Sequence, residues 1–335
     1  MKTSEFDYEL PPEYIAYYPS EQKESCKLEI VNRSENKLYH KQFSNIVDYL
    51  DCGDVLVLNN TMVIPARICG ASESRDDIEI LLLQKKDSNI WSCLMKKPKQ
   101  GQQINIDDDL SAVVRKESSG EILLEFNSEI DSYIDKKGYM PLPPYIERKP
   151  DKSDRDNYQT VYAKHKGSVA APTAGLHFTD ALLQSISDKG VAIEYVTLHV
   201  GYGTFKPVKS ENVEDHSMHS EYYEIGEKAC NSISLAKQRG KKVVAVGTTS
   251  LRTLESSVNE DGEINPQRGT TELFIYPGYE FKVVDSLITN FHMPRSTLFM
   301  LVCAFAGKEL IINAYEQAKK NRYRFLSYGD AMIIL

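Results

Sequence analysis

The sequence predicts an α/β fold: a layered, mostly parallel sheet with flanking helices, plus an inserted small antiparallel β-barrel domain. Three observations predict it. From about residue 158 onward, strand-like apolar runs alternate with amphipathic helical stretches, the pattern of a parallel sheet covered by helices. Between residues 76 and 134 the rhythm changes to short β-rich runs separated by polar turns, as in a small barrel or sandwich. A strand at Asp54–Asn59 precedes that stretch and most economically joins the later sheet. The chain is therefore expected to divide into a discontinuous α/β domain, residues 1–65 and 151–335, and an insert, residues 66–150.

The elements follow in order. The start, Met1-Lys-Thr-Ser-Glu-Phe-Asp-Tyr, has no apolar core for a signal peptide. The runs Ile78–Leu83, Ile90–Met95, Gln103–Ile106, Ser111–Val114 and Glu121–Phe126 are the expected barrel strands. Pro141, Pro143 and Pro144 punctuate the exit from the insert. Leu182, Leu183 and Ile186 then share one face of a helix that Gly190 can end, and Val191–Val200 follows as a strand. Glu227–Arg239 is a second helix, ended by Gly240, before the buried-strand run Val243–Val246. Helices near 250–258, 297–306 and 308–320 alternate with strands near 272–276 and 284–289.

At 335 residues the chain has room for roughly two domains. Its six cysteines (26, 52, 69, 93, 230 and 303) include no Cys-x-x-Cys pair. That argues against a zinc knuckle, a redox dithiol or a disulfide framework, and fits a reduced cytoplasm. The longest apolar run, Leu298 to Ala306, falls far short of the ~20 residues needed to span a bilayer. A net charge of −8 argues on its face against a nucleic-acid partner. Local basic spots run the other way: Lys96-Lys-Pro-Lys99, Arg148-Lys149, Lys206 with Lys209, and Arg322 with Arg324.

Five of the seven histidines, His165, His177, His199, His216 and His219, fall in one stretch. Histidine titrates near neutrality, so clustering points to proton traffic or metal binding. His177 ends the loop Ala170-Ala-Pro-Thr173-Ala-Gly175-Leu-His, at the N-terminal edge of a helix, where the dipole favours a neutral imidazole. His199 closes a strand just before Gly201-Tyr-Gly203, a turn that can press backbone against a small ligand. That turn lacks the third glycine of the dinucleotide fingerprint. His216-x-x-His219, with Asp215 and Glu221, is the best metal candidate, although no fitting third-ligand motif lies elsewhere. Hydrogen-bonding loop residues and substrate contacts are the competing readings.

Val243-Val-Ala-Val-Gly247-Thr-Thr-Ser250-Leu-Arg252 reads as strand, tight turn and helix start. Thr249 or Ser250 is the expected N-cap, and Arg252 one turn on favours an anion. Asn290 and His292 lie on one face of an extended chain, so both can point into one cleft. Asn59-Asn60-Thr61 is a further polar strand end. Several polar strand ends together imply one convergent site.

These blocks carry a resemblance. Asn59-Asn-Thr with Ile64-Pro-Ala-Arg67, Ala171-Pro-Thr-Ala-Gly-Leu-His-Phe, Thr197-Leu-His-Val-Gly and Met218-His-Ser-Glu221 resemble the S-adenosylmethionine:tRNA ribosyltransferase-isomerase family of queuosine biosynthesis. So do Ala245-Val-Gly-Thr-Thr-Ser250, Thr289-Asn-Phe-His292 and Tyr323-Arg-Phe-Leu-Ser-Tyr-Gly-Asp-Ala-Met332, in one order over nearly the whole chain. Two positions depart from the pattern: Met62 and Lys27 stand where the family leads one to expect arginine.

The resemblance implies transfer and isomerisation of the ribosyl moiety of S-adenosylmethionine. The acceptor would be the aminomethyl group of 7-aminomethyl-7-deazaguanine at the wobble position of tRNA, and the products epoxyqueuosine-tRNA, adenine and methionine. A sulfonium acidifies the adjacent C5′ hydrogens, so a placed base of near-neutral pKa can form an ylide. His177, His199 and His292 are the candidate acid–base residues. Thr248, Thr249, Ser250 and Arg252 are candidates for the methionine carboxylate, and Asn60, Arg67, Thr173, Gly175, Gly201 and Asn290 for other substrate contacts. Lys96, Lys97 and Lys99 on the insert, or Arg322 and Arg324, are the expected tRNA contacts. No metal and no cofactor beyond S-adenosylmethionine as co-substrate is expected, nor any membrane partner, and the protein is expected to be a cytoplasmic monomer. The alternatives are an S-adenosylmethionine-dependent RNA methyltransferase, a non-catalytic RNA-binding protein and a metal-dependent hydrolase.

Overall fold

The computed structural model describes residues 1–20, 23–73, 75–205 and 207–335, so the basic position Lys206 lies outside the described residues. The chain begins with β1 (Lys27–Asn32), β2 (Lys37–Gln42), β3 (Val55–Asn59) and β4 (Thr61–Val63). It then enters β5 (Arg67–Ser72), β6 (Arg75–Asp87), β7 (Ile90–Met95), β8 (Gln103–Asn105), β9 (Ser111–Lys116) and β10 (Ile122–Phe126). After α1 (Asp131–Lys137) and α2 (Asp154–Asn157) come β11 (His165–Ser168), α3 (Asp180–Asp188), β12 (Ala192–Leu198) and β13 (Glu221–Ile225). The rest is α4 (Glu227–Gln238), β14 (Val243–Val246), α5 (Gly247–Ser256), β15 (Gln267–Thr271), β16 (Ser286–Asn290), α6 (Thr297–Ala306), α7 (Lys308–Lys320) and β17 (Ala331–Ile334).

The main sheet has nine strands in the order β15-β13-β12-β3-β14-β16-β17-β1-β2. Its centre, β12-β3-β14-β16, is parallel, and so is the β17–β1 pair. The remaining pairings, β15–β13, β13–β12, β16–β17 and β1–β2, are antiparallel. The sheet is therefore mixed rather than mostly parallel. Antiparallel neighbours need only a short return: β1 and β2 join through a tight turn with Asn36 at φ 52°.

Strand alternation builds two cores, one on each face. Leu56, Leu58, Val244, Val246, Ile288 and Ile333 point to the face covered by α3. Val55, Val57, Val243, Ala245, Leu287 and Met332 point to the face covered by α4, α5, α6 and α7. Neighbouring residues along these strands thus belong to different cores, which is why the central strands are apolar throughout.

The barrel closes in the order β10-β7-β6-β5-β8-β9, with β9 pairing back to β10. Ile78, Ile80, Leu82, Trp91, Val114 and Leu124 fill it, and Ile134 of α1 joins the same cluster. The five expected barrel strands all form, and β5 precedes them as a sixth.

Caps explain the helix ends. Thr179 Oγ1 accepts from the Leu182 amide at 3.1 Å to start α3, and Gly190, at φ +88°, lets the chain leave it. Ser296 Oγ accepts from the Phe299 amide at 3.1 Å to start α6. The expected cap of α5 does not form. Val246 is its N-cap, and Thr249 and Ser250 lie inside the helix. Gly247, at φ +85°, turns the chain from β14 straight into the helix and leaves no loop for a capping side chain. The expected strand at 272–276 is also displaced: the ladder runs over Gln267–Thr271, and Leu273 to Tyr276 pack against the core without pairing. Among the described residues no single helix is long and apolar enough to cross a membrane.

Candidate active site

A cleft opens where the parallel centre of the sheet ends. The last residue of β16 and the loop after it supply Asn290, Phe291 and His292, and the first turn of α5 supplies Gly247, Thr248 and Thr249. Ala171, Pro172 and Thr173 form a third wall; Thr204, Tyr145 and Ser327 complete the rim. Carboxyl ends of parallel strands are where open α/β sheets bind ligands, because helices begin there with free amides.

Asn290 and His292 both reach the cleft, as their two-residue spacing implies. His292 Nε2 lies 2.9 Å from Thr289 Oγ1, and its amide donates to Tyr315 Oη at 2.9 Å. Among the described residues Nδ1 has no partner. Burial lowers the imidazole's pKa to about 3, so the ring is neutral at physiological pH. Asn290 sits at the centre of a chain. Its Oδ1 accepts from Thr173 Oγ1 at 2.8 Å, and its Nδ2 lies 3.1 Å from His177 Nε2.

His177 stands behind that amide. Its Nδ1 lies 3.0 Å from Cys26 Sγ and its ring lies against Phe43. Its pKa also falls to about 3, through burial first and then the charges of Arg324 and Lys23. Burial, rather than the helix dipole, is the main cause. His177 faces a smaller second hollow with Arg324, Lys23 and Ser20 that meets the cleft at Ser327. His199 faces elsewhere. Its Nδ1 lies 2.8 Å from Thr61 Oγ1 and its ring stacks on Tyr222. Burial and the neighbouring His165 lower its pKa.

The other expected contacts divide in the same way. Thr173, Thr248 and Thr249 line the cleft, and Asn59, one residue before the expected Asn60, donates to Thr249 Oγ1 at 3.1 Å. Asn60 instead accepts from Thr197 Oγ1 at 2.7 Å. Gly175 is a packing glycine: a Cβ there would overlap the Tyr162 hydroxyl. Ser250 is fully buried, with no partner for its hydroxyl among the described residues. Arg252 is paired with Glu221 behind the first turn of α5, and Gly201 donates to the same carboxylate at 2.7 Å. Arg67 lies on the barrel wall, paired with Glu79 and donating to the Leu142 carbonyl at 3.1 Å.

The residues weighed as metal ligands are not assembled as a set. Glu221 is engaged with Arg252 and Gly201, and Asp215 accepts from Asn212 at 2.8 Å. No group of three or more His, Cys, Asp or Glu residues among the described residues is arranged to hold a metal. Lys96, Lys97 and Lys99 are exposed on the turn after β7, with Lys97 at φ 53°. Arg322 is exposed, whereas Arg324 is half-buried, donating to the Tyr18 carbonyl at 3.2 Å and to Ser20 Oγ. Lys27 donates to the carbonyls of Asn321 (2.6 Å) and Arg322 (3.0 Å), an internal role.

Fold and cleft together define a ligand-binding α/β protein whose site gathers neutral histidine, amide and hydroxyl groups at the sheet's carboxyl edge. Residues 3–334 match the family described as "Queuosine biosynthesis protein". The chain belongs to that family. It is 50% identical to the S-adenosylmethionine:tRNA ribosyltransferase-isomerase of Halothermothrix orenii over the full length of both chains. It is likewise 50% identical to the enzyme of that name from Clostridioides difficile, again covering both chains completely. Among solved structures it is similar to the S-adenosylmethionine tRNA ribosyltransferase of Thermotoga maritima, with a TM-score of 0.59 and 40% identity. That likeness covers 99% of this chain and 100% of the other.

Proposed function

We propose that this protein transfers and isomerises the ribosyl moiety of S-adenosylmethionine onto the aminomethyl group of 7-aminomethyl-7-deazaguanine in tRNA. The acceptor base stands at the wobble position, and epoxyqueuosine-tRNA, adenine and methionine are the products. The full-length likeness to enzymes named for this activity supports the reading. The observation that carries it is the cleft itself, where a neutral histidine, an oriented amide and two helix-start threonines converge.

Each demand of the reaction has a group to meet it. The C5′ proton beside a sulfonium needs an uncharged proton acceptor, and His292 is the histidine that lines the cleft; its pKa of about 3 keeps it neutral but makes it a weak base. If Nε2–H donates to Thr289 Oγ1, Nδ1 is the bare nitrogen that takes the proton. Asn290, its amide fixed by Thr173 and His177, can hydrogen-bond adenine or ribose. The amides and hydroxyls of Thr248 and Thr249 suit the methionine carboxylate, since a helix start attracts negative charge. His177 acts at one remove, by setting the Asn290 amide, whereas His199, turned to Thr61 and Tyr222, has no part in the cleft. The barrel of residues 66–150 is read as an inserted domain that presents Lys96, Lys97 and Lys99 to the tRNA, with residues 1–65 and 151–335 forming the catalytic domain. The protein is read as a cytoplasmic monomer.

The test is product analysis. Purified protein with S-adenosylmethionine and tRNA carrying 7-aminomethyl-7-deazaguanine should release adenine and methionine in a tRNA-dependent manner. Formation of S-adenosylhomocysteine instead would mean a methyltransferase.

A further inference from the structure

A buried carboxylate ties two walls of the cleft together. Glu221, the first residue of β13, is 5% exposed. One of its oxygens accepts from the Gly201 amide at 2.7 Å and from Thr204 Oγ1 at 3.4 Å. Its other oxygen pairs with Nη1 of Arg252, which is 4% exposed. Arg252 Nε donates to the Leu273 carbonyl at 3.0 Å, so the guanidinium is itself anchored. On α5, Arg252 is three and four residues beyond Thr249 and Thr248, hence on the face one turn behind them. The contacts close a ring: cleft, Thr248 and Thr249, Arg252, Glu221, the loop at 201–204, and back to the cleft through Thr204.

The loop has two further supports. His219 backs it so closely that a Cβ on Gly203 would overlap the imidazole ring, whereas a Cβ on Gly201 would meet nothing nearer than Glu221 at 3.6 Å. Tyr202 packs toward the barrel cluster. The loop is thus held at its base by Glu221, from behind by His219 and at its side by the barrel.

We propose that Glu221 is a positioning residue for S-adenosylmethionine, latching the loop at 201–204 to helix α5 so that both walls of the cleft keep their spacing. The inference rests on the cleft being the S-adenosylmethionine site. The carboxylate does not touch the substrate; it acts through Gly201, Thr204 and Arg252. A buried ion pair contributes little net stability, because desolvation offsets the attraction, so its main effect is on geometry.

The test uses two variants of the full-length protein. Glu221→Gln keeps the shape and one acceptor but removes the charge that holds Arg252. The double variant E221M/R252M removes both charges, which leaves no unpaired buried ion, and is the one to use if the single variant does not fold. Both should raise KM for S-adenosylmethionine, Glu221→Gln roughly tenfold, as for loss of one well-placed hydrogen bond, and the double variant at least as much because it also takes the acceptor from Gly201 and Thr204, with kcat changed much less in each. Amide exchange over 201–204 should quicken in both. A double variant that folds and keeps the wild-type KM would show that the pair does not position the substrate and would overturn the proposal. Unchanged exchange at 201–204 would also overturn it, even if the wild type released no adenine; that last result would refute the assigned reaction instead.

Discussion

His292 lines the cleft as a neutral imidazole, and this fixes what its replacement should do. With a pKa lowered to about 3 by burial, it is deprotonated at any pH the enzyme meets, so its own titration should not produce an acid limb near 6.5 in kcat/KM. Replacing it by glutamine should lower kcat by about 10²-fold, the low end for a placed general base, because a pKa of about 3 makes it a weak one. Adenine release at saturating S-adenosylmethionine measures this; a kcat close to wild type would remove His292 from the proton transfer. Glu29 is a second buried ionisable residue, with neither carboxylate oxygen partnered among the described residues. Burial raises its pKa to about 9. Between pH 4.5 and about 9 the unfolded chain ionises this group while the folded protein keeps its proton. Its contribution is therefore fully present below 4.5 and is lost as pH rises through about 9. The urea midpoint should accordingly fall across this range in the wild type and fall less in Glu29→Gln. Equal slopes would mean that the carboxyl is solvated or paired in solution.

At the scale of elements, glycines and alternation decide what was legible. Val243–Val246 and Asp54–Asn59 were readable as strands because both faces of a central parallel strand are apolar. β2, Lys37-Leu-Tyr-His-Lys-Gln, was not, since most of it is exposed at the sheet edge. In β1 the buried Glu29 interrupts an otherwise apolar run and hides the strand. Gly175 shows the same limit within the site. Its loop marked it as a substrate contact, but contact with Tyr162, thirteen residues earlier in sequence, is what requires glycine there. Gly175→Ala should destabilise the fold by about 1–3 kcal/mol through overpacking, and Tyr162→Phe should recover part of that loss. Chemical denaturation of the single and double variants checks both; simple additivity would show that the two positions do not touch.

Over the whole molecule, the polar strand ends were legible as one site because helix starts, glycines and histidines cluster at them. Which side chains face inward was not legible, since that depends on register. Thr173, Asn290 and His292 reach the cleft, while His199 turns to Thr61 and Tyr222. The role of Glu221 was masked by its neighbours His216 and His219, which suggested a metal. The net charge of −8 makes any tRNA surface local, and the exposed turn carrying Lys96, Lys97 and Lys99 is the proposed one. Changing all three to glutamate should weaken tRNA binding and flatten its log–log salt dependence by roughly 2–3 units, for three lost phosphate contacts. An unchanged slope would place the tRNA elsewhere. The proposed reaction itself is tested most directly by the fate of the donor's atoms. With S-adenosylmethionine labelled separately in ribose and methyl, the ribose label should enter the tRNA and the methyl label should leave with methionine. Methyl label in the tRNA, with the ribose left on S-adenosylhomocysteine, would contradict it.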